Sequence, residues 1–99
     1  MTNYFVSYDL NNQRPTHAEM DAHLKKLGDG TLRVLETVWY VRTFKGLDDL
    51  YNYVASILRE DDGLIVIEAS DVKFDRLLCG DQRLQGAWED ARLAGIRSI

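Results

Sequence analysis

An α+β domain built on a four-stranded antiparallel sheet is predicted by three features of this 99-residue chain. Segments rich in β-branched and aromatic residues alternate with two stretches of helical hydrophobic spacing. A helix-capping signal separates the first strand from the first helix. One β-rich stretch, Thr31 to Phe44, is long enough to fold back on itself as a hairpin.

Tyr4-Phe5-Val6-Ser7-Tyr8 predicts a first strand ending near Asp9, and Asn11 to Pro15 reads as a loop. Thr16 and Glu19 form a T-x-x-E capping box for a helix with Met20, Leu24 and Leu27 on one face. Gly28 and Gly30 close it. Thr31 to Phe44 divides into strands over about 31–35 and 38–44, reversing at Glu36-Thr37. Leu47, Leu50, Tyr51, Val54, Ile57 and Leu58 share a face of the second helix. Asp48 and Asp49 suit its first turn and Arg59 its C-terminal end. Asp61-Asp62-Gly63 is a turn before a fourth strand, Leu64 to Ala69. The order β-α-β-β-α-β is that of ferredoxin-like folds, with both helices on one face of the sheet.

Residues 1–69 make this core, and residues 70–99 are a C-terminal extension of the same domain. Val72-Lys73-Phe74 is a candidate fifth strand. A last helix from near Asp81 would bury Leu84, Ala87, Trp88 and Ala91, leaving the residues from Gly95 unstructured. Arg76, Arg83, Arg92 and Arg97, matched by Asp75, Asp81, Glu89 and Asp90, read as a solvated face.

Hydrophobic residues make up 45% of the chain and charged residues 28%, with a single proline, which excludes a disordered or collagen-like chain. Residues 1–50 carry six positive and seven negative charges, and residues 51–99 six and nine. Without a strongly basic region, a protein that coats DNA non-specifically is disfavoured. The lone Cys79 excludes an internal disulfide and a cysteine-rich zinc site. The longest aliphatic run, Leu64 to Ile67, is too short to span a membrane, and Met1 to Tyr4 lack the features of a signal peptide. A cytoplasmic protein with no membrane partner is expected.

The strands are apolar on both sides. Tyr4, Val6 and Tyr8 oppose Phe5, and Val38 and Tyr40 oppose Trp39 and Val41. With helices on only one face, the other requires a cover. A second copy about a two-fold axis is favoured, and the alternative is that the C-terminal segment folds back over it.

The same end of the sheet collects Asp9, Glu36, Asp61 and Asp62, beside Asn11, Asn12, Thr16 and His17. Mg²⁺, with Mn²⁺ as the alternative, takes oxygen ligands and needs only one or two carboxylates. Asp9 and Asp62 are the candidate metal ligands. The competing readings are a solvated turn for Asp61 and Asp62, a hairpin charge for Glu36 and an Asx turn for Asp9. Arg33 and Arg42, flanking Tyr40 on one face of the hairpin, and Lys45 beyond it are candidate nucleic-acid contacts. They read equally as charges that protect an edge strand. His17 and His23 lack helical metal-ligand spacing, and Ser7 and Cys79 lack a catalytic context.

Tyr4 to Leu10 resembles the opening strand of the small CRISPR-associated Cas-two proteins, which ends in Tyr-Asp-aliphatic. Arg33-Val34-Leu35-Glu36-Thr37-Val38-Trp39 resembles their Arg-Val-Gln-x-Ser-Val-Phe motif, with Leu35 in place of the glutamine and Trp39 in place of the phenylalanine. A closer resemblance is to the Cas-two-like SinR family, through Ser7-Tyr8-Asp9-Leu10, Leu35-Glu36-Thr37-Val38-Trp39 and Ala87-Trp88. The resemblance, over about residues 3–69, implies a ferredoxin-like homodimer with facing sheets. It implies that Asp9, with its two-fold mate, binds a divalent metal as the catalytic residue. The implied activity is phosphodiester cleavage of RNA or DNA; in CRISPR adaptation such a dimer is a structural bridge. The related virulence-associated protein D toxins are ribonucleases. The acidic net charge and the long tail after Ala69 depart from this pattern.

Overall fold

The structure, a computed structural model, describes residues 1–28 and 30–97, with side chains through Glu89. Its elements are β1 (Thr2–Asp9), α1 (His17–Lys25), β2 (Thr31–Leu35), β3 (Val38–Thr43), α2 (Leu47–Ala55), β4 (Gly63–Glu68) and α3 (Asp81–Arg97). The four strands form one antiparallel sheet in the order β2-β3-β1-β4. The molecule is thus a mixed α+β domain with three helices.

Alternation along β1 divides the core in two. Tyr4, Val6 and Tyr8 point to one face, where they meet Trp39 and Val41 of β3, Met20 and Leu24 of α1, and Leu50 and Val54 of α2. Met20 and Leu24 of α1 and Leu50 and Val54 of α2 are buried as anticipated, whereas Leu47 and Tyr51 stay exposed. Both helices end earlier than expected, so Leu27, Ile57 and Leu58 pack on this core from beyond the helix ends, and Arg59 also lies past α2. The Thr16 capping box forms in both directions: the Glu19 amide donates to Thr16 Oγ1 at 3.1 Å, and the Thr16 amide to Glu19 Oε1 at 2.9 Å. Gly28 turns the chain out of α1 at φ 115°, a conformation that glycine adopts without strain.

On the opposite face, Leu32 and Val34 of β2 and Tyr40 of β3 form a second core with Leu84 of α3. Phe5, Val38, Phe74, Leu77, Ala87 and Trp88 pack around it. The Trp88 ring lies 6.2 Å from Phe5 and 6.1 Å from Tyr40 between centroids. The C-terminal helix therefore covers much of the face for which a second copy was favoured. The cover is incomplete. Leu35, Val38, Ser7 and Ile65 form one row in register across all four strands, and Leu35 and Ile65 are 48% and 54% exposed.

Val72, Lys73 and Phe74 are irregular, not a fifth strand. The Ala69 amide donates to Asn3 of β1, whereas the Leu78 amide donates to Val34 of β2. The linking segment must cross the sheet, so it has no strand to run beside. Helix α3 runs to Arg97, past the Gly95 limit expected from sequence. The burial predicted for Ala91 and the solvated face assigned to Asp90, Arg92 and Arg97 lie outside the described side chains. No helix among the described residues is long and apolar enough to cross a membrane.

Candidate functional site

The end of β1 brings together the loops that were anticipated there. Asp9 pairs with Gly63, which draws the Asp61-Asp62 turn alongside. Asn11 locks this junction: its backbone amide donates to Asp62 Oδ1 at 2.8 Å, and its side-chain amide to the Asp61 carbonyl at 2.6 Å. Asn12 Nδ2 reaches the same Asp62 oxygen at 3.3 Å, while the Arg59 amide donates to Asp62 Oδ2 at 2.9 Å. Hydrogen bonds from the Asn11 and Arg59 amides hold the Asp62 carboxyl below its usual range.

Both Asp62 oxygens thus fasten loops, and Oδ2, with one donor, keeps a lone pair for a further partner. Asp9 is different. Its carboxylate is exposed, and no hydrogen bond or ion pair engages it among the described residues. It can serve as one hard oxygen ligand to a hydrated Mg²⁺ or Mn²⁺. Glu36 is exposed in the β2–β3 turn. Among the described residues, no group of three His, Cys, Asp or Glu side chains is arranged to hold a metal.

The predicted cationic surface is split. With Leu35 paired to Val38, an unbroken ladder would set Arg33 opposite Tyr40 and on the face of Arg42. A register shift between Arg33 and Leu35 sets Arg33 opposite Trp39 instead. Because side chains alternate, this one-residue irregularity sends Arg33 to the α1 face, while Arg42 keeps the parity of Tyr40. Arg33 forms an ion pair with Asp21 of α1 and lies 5.2 Å above the Trp39 ring. Trp39 Nε1 in turn donates to the Tyr8 hydroxyl at 3.2 Å, and burial pushes the Tyr8 phenol above its usual pKa.

Arg42 pairs in register with Asn3, six residues along β1 from Asp9. At about 3.3 Å of rise per residue that is roughly 20 Å from Asp9. Lys45 lies beyond the end of β3 on the same side, its carbonyl accepting from the Tyr4 hydroxyl at 2.9 Å. Asp9 on one side, and Arg42 and Lys45 on the other, therefore occupy opposite ends of the sheet.

The histidines have structural surroundings. The His23 ring stacks on Tyr53 with centroids 4.2 Å apart, and Tyr53 donates back to the His23 carbonyl at 2.7 Å. His17 lies 6.4 Å from the Tyr8 ring. Cys79 is half-buried, with its thiol pushed up by desolvation.

The residue that sequence reasoning passed over is Asp21. It lines a groove of about 400 Å³ with Lys25, Thr31, Arg33, Cys79 and Arg83. The available signal was an acidic residue directly after the buried Met20 and three before the buried Leu24, at the margin of the apolar stripe of α1. Compared with family models, curated proteins and solved structures, the chain matches none of them.

Proposed function

We propose that this chain is a Cas-two-like protein of ferredoxin-like topology with a nucleic-acid-related role, acting as a homodimer that cleaves phosphodiesters of RNA or DNA with a divalent metal. The exposed, unengaged carboxylate of Asp9 at the end of β1 carries this reading. The central position of β1, between β3 and β4, supports the topology. Asp9 and its two-fold mate would hold Mg²⁺ or Mn²⁺, with Asp62 beside them in the adjoining turn. Such an ion, when bound, supplies an activated water and offsets charge on the phosphate. Arg42 and Lys45 would hold the nucleic-acid backbone away from the reacting bond, since they lie roughly 20 Å from Asp9 by strand rise.

Metal-titrated cleavage of labelled single- and double-stranded RNA and DNA tests this, with Asp9→Ala beside the wild type and a mass measurement of the oligomer. The wild-type dimer should cleave, and the folded variant should not. Undiminished cleavage by Asp9→Ala would remove the basis of the proposal.

A second reading, a non-catalytic dimeric module that binds a protein or nucleic-acid partner, is favoured by the half-exposed row of Leu35, Val38 and Ile65. It predicts no cleavage at any metal concentration and weakened association in Ile65→Lys.

A further inference from the structure

The groove between α1, the outer edge of β2 and the start of α3 contains an unusual set of polar atoms. Among the described residues, three buried side-chain atoms that line it, Asp21 Oδ1, Thr31 Oγ1 and Arg33 Nε, find no hydrogen-bond partner. Leaving a buried polar atom unpaired is costly, and native interiors rarely do so. Thr31 makes the point most sharply, because the residue is only 9% exposed. Its hydroxyl can both donate and accept, Arg33 Nε only donates, and an ionised Asp21 only accepts.

The charge around these atoms is lopsided. Among the described residues that line the groove, Lys25, Arg33 and Arg83 stand against the carboxylate of Asp21, which Arg33 already offsets. Lys25 and Arg83 are exposed and stand at the rim, over the more deeply set Thr31 and Arg33. An anion at the rim and a hydroxyl-bearing body below would satisfy both layers. A carboxylate is a suitable acceptor for sugar hydroxyls, and arginine and lysine are suitable donors to phosphate oxygens.

We propose that this groove binds a small phosphorylated polyol of the sugar-phosphate class. Its phosphate lies between Lys25 and Arg83, a hydroxyl donates to Asp21, and ligand oxygens accept from Thr31 and Arg33. This site is independent of Asp9 and of any cleavage activity.

Calorimetric titration of the full chain with ribose 5-phosphate, beside ribose and inorganic phosphate, tests the proposal. Ribose 5-phosphate should bind saturably and more tightly than either fragment. Arg83→Gln should weaken it about tenfold, the cost of one charge-assisted hydrogen bond. Thr31→Val separates ligand binding from folding: an unpaired buried hydroxyl replaced by a methyl group should leave the melting temperature unchanged or raised, while binding weakens about tenfold. Cys79, also lining the groove, supplies a second readout, because bound ribose 5-phosphate should slow its alkylation. The proposal is overturned if ribose 5-phosphate does not saturate at millimolar concentration, or if it binds equally well to Thr31→Val and Arg83→Gln.

Discussion

Asp62 illustrates how one side chain can carry the signature of a functional residue while serving a structural task. It sits in a turn beside Asp61 and near Asp9, as a metal ligand would, yet its oxygens accept from Asn11, Asn12 and Arg59. Since these bonds lower the Asp62 pKa from its usual 3.8, the stabilisation is fully present above that pH and is lost as pH falls through the lower folded value. Asp62→Asn should therefore lower the melting temperature at neutral pH, with the deficit narrowing in acid; thermal melts of both proteins from neutral pH into acid measure it. Gly30 makes a different demand. A Cβ there would lie 2.9 Å from both Cβ and Nε of Arg42, and its carbonyl accepts from the Arg42 amide at 2.9 Å. Gly30→Ala should destabilise the protein by about 1–3 kcal/mol, read from urea unfolding, as the strand edge gives way to the methyl group.

Among the elements, α1 was the most legible, because its signals are local. Thr16, Glu19 and the Met20–Leu24 spacing lie within a few residues of one another, and the capping box forms as written. Arg14 adds to it by pairing with Glu19, whose carboxyl is held down at about 2, chiefly by the Arg14 hydrogen bond. Thr16→Ala should cost about 1 kcal/mol in denaturant unfolding. The Glu19 contribution is present above its ordinary value of 4.5 and is lost as pH falls toward 2, so the loss on Glu19→Gln should shrink across that window in pH-dependent melts. The β2–β3 hairpin was less legible. Its strands and reversal were visible in composition, but no residue between Arg33 and Leu35 announces the irregularity, and that one step reassigned the face of Arg33.

For the molecule as a whole, the decisive feature is the return of the C-terminal segment across the sheet. Leu84 is fully buried between α3 and the β2–β3 pair, so Leu84→Ala should cost about 2–5 kcal/mol in urea unfolding. Helix undocking would uncover Phe5, Tyr40, Leu32 and Val34 together, and Leu84→Asp should then shift the protein toward association, measured by light scattering. The apolar character of this second face was plain from the alternation of β1 and β3. Whether the chain's own tail or another molecule covers it was not, because an apolar side chain is satisfied by any apolar neighbour.

The order of the first six elements, the stripes of α1 and α2, the capping box and the gathering of carboxylates at the end of β1 were all readable in the chain. They follow from periodicity, caps and turns, which operate between near neighbours. The engagement of Asp62, the parity of Arg33, the groove around Asp21 and the docking of α3 were settled by contacts between distant parts of the chain. Asn11 meets Asp62 across 51 residues, Leu78 bonds back to Val34, and Arg33 finds Asp21 on another element. Such pairings depend on strand register and on the path of the tail, and a shift of one residue in either exchanges one face of the sheet for the other.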